Sequence, residues 1–224
     1  MISLCMIVAE QDAKQLRTAI NSAKEVATQI IVVNQGDSPK IKKTVQGIRK
    51  NAMVIPTTLK GNADPDREYA ARFADQEYVL FLDADEVVSK TLANWMKKYL
   101  SSMVKEFDVF WIPFKNTVDG VDIEDILGKD YHPRLHKRGS VIWKPTLHTS
   151  PDVKSSNIYF LDDKYCIEHI RSSEQIVESH KKRHHMLDPR SGNMEMGFLQ
   201  RLSQKLSKDL VTPVFGEKKV FRSV

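Results

Sequence analysis

The stretch Tyr78–Glu86, YVLFLDADE, decides how this chain is read. Tyr78–Leu82 is an unbroken apolar run of strand length, and Asp83, Asp85 and Glu86 follow at its carboxyl end. An unbroken run, rather than an alternating one, marks a strand buried on both faces, as in a parallel sheet covered by helices. Open α/β sheets hold ligands beyond the carboxyl ends of their strands. Residues two apart share a side in extended chain, so Asp83 and Asp85 can reach one cation as the strand ends. Hard cations such as Mg²⁺ or Mn²⁺ take carboxylate oxygens and commonly bind phosphate as well. The Asp-X-Asp therefore reads as an anchor for a metal and a diphosphate. Its rival is a solvated acidic turn.

Outward from this stretch the pattern repeats. Towards the N-terminus, Ile2–Val8, Gln29–Val33 and Ala52–Ile55 are further apolar runs of strand length. Between them, Asp12–Ala27 carries Leu16, Ile20, Ala23 and Ala27 at helical spacing, and Ser38–Lys50 carries Ile41, Val45 and Ile48 on one face. Asp64–Ala74 reads as a helix, and Ser89–Leu100 as another with Ser89 as its N-cap. Alternating strand and helix predict right-handed βαβ units and a mainly parallel sheet. After Val109–Pro113 (VFWIP) the chain becomes irregular, with short strands at Tyr131–His136, Val141–Trp143 and Ile158–Leu161. A helical pattern returns from Ser173 to Leu210. The expected division is a catalytic domain over 1–172 and a basic helical extension over 173–224.

Composition narrows the class. The 224 residues are 41% hydrophobic and 28% charged, which suits one domain with a sizeable core and excludes disorder throughout. Two cysteines, Cys5 and Cys166, cannot build a disulfide framework. No segment approaches the roughly 20 apolar residues of a membrane span, and the N-terminus lacks a basic signal-peptide region. A cytoplasmic protein is expected. The net charge of +5 is uneven: His180–Val224 holds ten Lys or Arg against four Asp or Glu, leaving the remainder at −1. A basic tail suggests a nucleic acid or another polyanion as partner, against the plainer reading of a solvated Lys-rich helix.

The segments ISLCMIV, QIIVVNQGDS and EYVLFLDADEVV, in this order and spacing, resemble family 2 glycosyltransferases with the A-type, nucleotide-diphospho-sugar fold. The resemblance spans roughly residues 2–90 and continues through FWIPFKNTVDG, YHPRLHKRG and VIWKPTLHTSP. It implies a doubly wound, mostly parallel sheet. It also implies inverting, metal-dependent transfer of a sugar from a nucleotide diphosphate, with UDP expected, to a hydroxyl acceptor. Glu10 falls where the family holds base and ribose. Asn34 stands where the family usually has an Asp that receives the uracil N–H, and Asp37 lies close to it. Arg67 and Arg72 resemble the basic residue near the diphosphate, which a guanidinium suits bidentately. Asp83 contacts ribose or metal, and Asp85 holds the Mn²⁺ or Mg²⁺, which neutralises charge on the departing diphosphate. His148 and His169 are candidate metal ligands.

An inverting transfer needs a base for the acceptor hydroxyl proton, usually a carboxylate. The acidic loop offers Asp119, Asp122, Glu124 and Asp125, and Glu168 is a further candidate. His180, His184 and His185 lie at helical spacing among Lys181, Lys182 and Arg183, which suits a phosphate-facing or solvated helix better than a zinc pair. Trp111, Tyr131 and Trp143 are candidate stacking surfaces for a sugar or base, or core aromatics. Two rivals stand. A haloacid-dehalogenase-type phosphatase would use Asp83 and Asp85 with Asp162 and Asp163. A nucleic-acid-binding module would use the tail. A combined reading is transfer of the sugar to a polyanion such as modified DNA, held by the tail.

Overall fold

A computed structural model describes residues 2–145, 151–177 and 192–209. Strands β1 (Ile2–Val8), β2 (Ala27–Gln35), β3 (Met53–Thr57) and β4 (Tyr78–Phe81) lie parallel in the order β3-β2-β1-β4. Helices α1 (Ala13–Ala23), α2 (Pro39–Ile48) and α3 (Asp64–Ala71) make the crossovers. Every residue of β1 is buried. Leu4, Met6 and Val8 join one core with Leu16 and Ile20 of α1, while Cys5 and Ile7 join another with Ala70 of α3. Two covered faces are why these strands read as unbroken apolar runs.

The second half departs from a purely parallel sheet. It comprises β5 (Glu86–Val88), α4 (Lys90–Met103), β6 (Val109–Val118), β7 (Val121–Asp122), α5 (Glu124–Leu127) and β8 (Asp130–Lys137). Then come β9 (Val141–Ile142), β10 (Asp152–Val153), β11 (Ile158–Phe160) and β12 (Ile167–Arg171). The sheet continues from β4 as β8-β6-β12-β5. β8 runs antiparallel to both β4 and β6, and β12 runs parallel to β6 and antiparallel to β5. A hairpin-like return needs no crossover helix, so this half lacks the strand–helix alternation that made the first half legible. Gly128 closes α5 with φ 78° and ψ −179°, a conformation essentially reserved for glycine, and so turns the chain into β8.

Local signals agree with the elements. The Ser89 hydroxyl accepts the Leu92 N–H at 3.2 Å and caps α4. β2 runs further than its apolar core and carries Asn34 and Gln35, both buried. The C-terminal helix Gly192–Asp209 places Leu202 against Val118, Ile123 and Ile176. Among the described residues no helix is long and apolar enough to cross a membrane. Cys5 and Cys166 are free.

His136 of β8 is buried at the seam between the halves, stacked on Phe81. Its Nδ1 faces the Lys137 carbonyl at 3.2 Å, and its Nε2 accepts the Trp143 indole N–H at 3.3 Å. Burial pushes its pKa down to about 4. The folded state thus refuses a proton that the unfolded state takes up below about pH 6.5. Stability from this residue is complete above that pH and is lost as pH falls towards 4, by at most about 1.4 kcal/mol per unit. Urea denaturation should show wild type losing stability between pH 6.5 and pH 4.5, and His136→Phe showing a flatter dependence across the same window.

Candidate active site

The carboxyl ends of β1, β2 and β4 open into a cavity of about 760 Å³. At its floor the chain leaves β4, passes Asp83, Ala84 and Asp85, and returns as β5. Four charged side chains interlock there. Arg67 of α3 donates from Nη2 to both Asp83 oxygens at 2.8 Å, and from Nε to Asp64 at 3.3 Å. Arg134 of β8 donates from Nη2 to Asp83 Oδ2 at 3.0 Å and also to Glu86 Oε1. The other Glu86 oxygen accepts the Asp83 N–H at 2.9 Å. Arg67, Arg134 and Glu86 are all buried. The guanidinium of Arg67 lies 5.2 Å from the Trp143 ring centroid, and that of Arg134 lies 5.4 Å from Phe114.

Electrostatics follow from this packing. Burial would raise the Asp83 carboxyl, but Arg67 and Arg134 outweigh it and hold it well below the usual carboxylate range. Burial pushes Glu86 up, Arg134 opposes that, and the Asp83 charge adds to it. Both arginines line the cavity and keep buried N–H groups without a hydrogen-bond partner: Nη1 of Arg67, and Nε and Nη1 of Arg134. A guanidinium in a cavity wall is a cation suited to a phosphate or carboxylate ligand.

Asp85 belongs to a second set. Its Oδ2 lies 3.2 Å from His169 Nε2, and His169 Nδ1 lies 2.9 Å from Asn116 Oδ1. With Nδ1–H donated to Asn116, a neutral ring turns the Nε2 lone pair towards the carboxylate. Two acceptors then face each other, and a second ring proton or a cation resolves the conflict. An imidazole whose other N–H is held by an oxygen is also the usual metal-ligating arrangement. Among the described residues no group of three or more His, Cys, Asp or Glu converges on a metal position. Asp85 and His169 fit a cation that takes its remaining ligands from a bound phosphate and water, as Mg²⁺ commonly does. Asp83, held by both arginines, does not extend that pair.

Of the residues singled out in the sequence, Arg67, Asp83, Asp85 and His169 line this one cavity. The other described ones lie elsewhere. The Asn34 amide closes the turn after β2, donating to the Ser38 carbonyl at 3.0 Å and accepting its N–H at 3.2 Å. Glu10 is exposed and accepts from the Ser38 hydroxyl at 3.3 Å. Asp37 is exposed in the same turn, and Arg72 is exposed just past α3. Asp119 accepts the Ser173 N–H, Asp122 accepts the Glu124 N–H, and Asp125 pairs with Lys205. Asp119, Asp122 and Glu124 do not line the main cavity. His148 lies outside the described residues, as do His180, His184 and His185.

Several site residues escaped the sequence reading. Gln35 lines the cavity and binds Asp66 and the Asn62 carbonyl, both at 2.8 Å. Glu86, Asn116, Asp130, His132 and Arg134 line it too. One signal was available: Arg134 interrupts the strand-like YHPRLH, and a charged residue inside a strand next to apolar neighbours needs a buried partner. Removing Arg134 strands the Glu86 carboxylate, so Arg134→Met should lower stability by about 3–5 kcal/mol in urea titration. Adding Glu86→Gln to that variant should recover part of the loss, because the unpaired buried charge is gone.

Comparison with known proteins agrees with this geometry. The model of the family described as glycosyl transferase family 2 matches residues 3–154. Among solved structures, S. aureus TarS 1–349 shares 16% identity at a TM-score of 0.56, over 75% of this chain and 60% of that one. The same protein in complex with UDP shares 18% identity at 0.58, over 79% of this chain and 62% of that one. In complex with UDP-GlcNAc it shares 18% at 0.53, over 75% and 58%. At such identities the likeness is one of fold, and this chain spans about 60% of the length of the first of these structures. No curated protein matches the chain. The phosphatase reading fails on this evidence. Asp163 pairs with Lys129 and Tyr131, and neither it nor Asp162 lines the cavity. The family match over residues 3–154 and the A-type fold of the sheet together place the chain: it belongs to glycosyl transferase family 2.

Proposed function

We propose that this chain transfers a sugar from a nucleotide diphosphate, UDP first among them, to a hydroxyl acceptor with inversion at the anomeric carbon. One observation carries the reading: two buried arginines, Arg67 and Arg134, converge on Asp83 in the wall of a cavity that the Asp83-Ala84-Asp85 turn also lines. Arg67 and Arg134 supply donors for diphosphate oxygens. Asp83 orients both arginines through its bidentate and bridging bonds. Asp85 and His169 would hold Mn²⁺ or Mg²⁺, which supplies charge neutralisation as the diphosphate departs. The nucleoside would lie towards Ala9, Gln35 and the Gly61–Asp64 loop, which line the same cavity. Preorganised charge of this kind, in a site partly shielded from water, is the usual source of the largest rate gain. UDP as the nucleotide is supported by the neighbours solved with UDP and UDP-GlcNAc.

For the acceptor, the wall favours a neutral hydroxyl compound over a polyanion. Six carboxylates line the cavity (Asp12, Asp64, Asp83, Asp85, Glu86 and Asp130) against three arginines. That surplus disfavours a second negatively charged ligand beside the donor. A DNA acceptor rests only on the charge of residues 180–224. Calorimetric titration of UDP in the presence of Mn²⁺ should give binding that weakens at least tenfold in Asp85→Ala and in Arg67→Gln. Absence of binding by every nucleoside diphosphate tried on folded wild type would overturn the proposal.

A further inference from the structure

We infer that Asp130, at the start of β8, is the general base that takes the acceptor proton, with His132 and Asn116 as the residues that position it. The inference rests on the transferase reading above and adds the residue that completes its chemistry. Six carboxylates line the cavity, and five are held by other bonds. Asp12 accepts the Ala9 N–H at 2.7 Å and stays at the turn before α1. Asp64 and Asp83 are bound by Arg67, and Asp83 and Glu86 by Arg134. Asp85 faces His169. A carboxylate locked to a guanidinium is a poor proton acceptor.

Asp130 is more open than Asp64, Asp83, Asp85 or Glu86: its side chain is 39% exposed, and no arginine or lysine binds it among the described residues. Its Oδ1 lies 2.8 Å from His132 Nε2, and Asn116 lies beside it. His132 is in turn braced by the Phe114 ring, with centroids 4.5 Å apart. Asn116 joins Asp130 to the other half of the site: its amide oxygen meets His169 Nδ1, and His169 Nε2 meets Asp85. A side-chain chain thus runs Asp85, His169, Asn116, Asp130, His132 along the cavity. One end sits at the departing diphosphate and the other at the acceptor.

The step balances. The acceptor O–H proton passes to an Asp130 oxygen. The freed oxygen lone pair bonds to the anomeric carbon. The bond from that carbon to the diphosphate oxygen breaks, and its electron pair leaves on the diphosphate. His132 and Asn116 stabilise Asp130 as a carboxylate before the transfer and fix its direction.

The test uses the full chain, with UDP-GlcNAc as donor, Mn²⁺ present and water as acceptor, reading UDP release alongside calorimetric UDP affinity. Asp130→Asn should cut turnover by 10²- to 10⁴-fold while UDP affinity stays within threefold. His132→Gln, which keeps a donor towards Asp130, should retain more turnover than His132→Ala at equal UDP affinity. Asp122→Asn and Glu124→Gln, outside the cavity, should turn over as wild type does. Turnover of Asp130→Asn within threefold of wild type overturns the assignment and leaves the transferase reading intact. So does loss confined to UDP affinity, or loss in Asp122→Asn or Glu124→Gln instead. Wild type that neither binds UDP nor hydrolyses any UDP-sugar defeats both readings together.

Discussion

The structure turns on a charge quartet, the buried Arg67, Arg134 and Glu86 with the half-buried Asp83, set where the last strand of the parallel half leaves the sheet. Burying charge is costly unless each charge is paired and hydrogen-bonded. Here each carboxylate meets an arginine, and the Asp83 N–H satisfies the free Glu86 oxygen. The four residues come from α3, the turn after β4, β5 and β8. Shifting α3 away from the turn after β4, or β8 away from that turn and β5, leaves a charge without its partner. The quartet is therefore both a clamp between the halves of the sheet and a platform for the site.

That clamp explains why the aspartates of the DADE motif do different work. Asp83 is turned inward to the guanidinium groups, and Asp85 is turned to His169 across the cavity. Both arginines also line the cavity. A carboxylate that orients an arginine, with the arginine free to meet phosphate, is a preorganised arrangement that needs no rearrangement when charge develops on a leaving group. The antiparallel entry of β8 between β4 and β6 is what makes it possible. It carries Asp130, His132 and Arg134 to the cavity on a rigid strand rather than a loop.

The first half was legible because its physics is local. β1 and β4 are buried on both faces, so their composition alone marks them. α1 and α2 bury one stripe each, so their periodicity marks them. The second half was legible only in part: β6, β8, β9 and β11 fall on expected strands, whereas β5, β7 and β10 are two or three residues long, too short for any period to register. The site shows the same division. Asp83 and Asp85 follow a strand and announce themselves. Arg134 lies 51 residues from Asp83, and its partner is unknowable until β8 is paired. Asn34 was legible as a polar strand end, but not the turn to Ser38 that its amide closes.

By itself, the sequence determined the alternation of buried strands and crossover helices, the position of the acidic turn at a carboxyl strand end, and the family to which that order belongs. Each depends on neighbours within a few residues, where hydrophobic burial and backbone period are written directly into residue type. Only the tertiary structure decided which charges meet. Arg67 rather than Arg72 faces Asp83, because one lies on the buried side of α3 and the other is exposed beyond its end. Asp130 rather than the acidic loop lies in the cavity, because Gly128 turns the chain into β8 and the loop side chains are taken up by their own backbone and by Lys205. Pairing of distant charges depends on strand order and register, and no local pattern carries either.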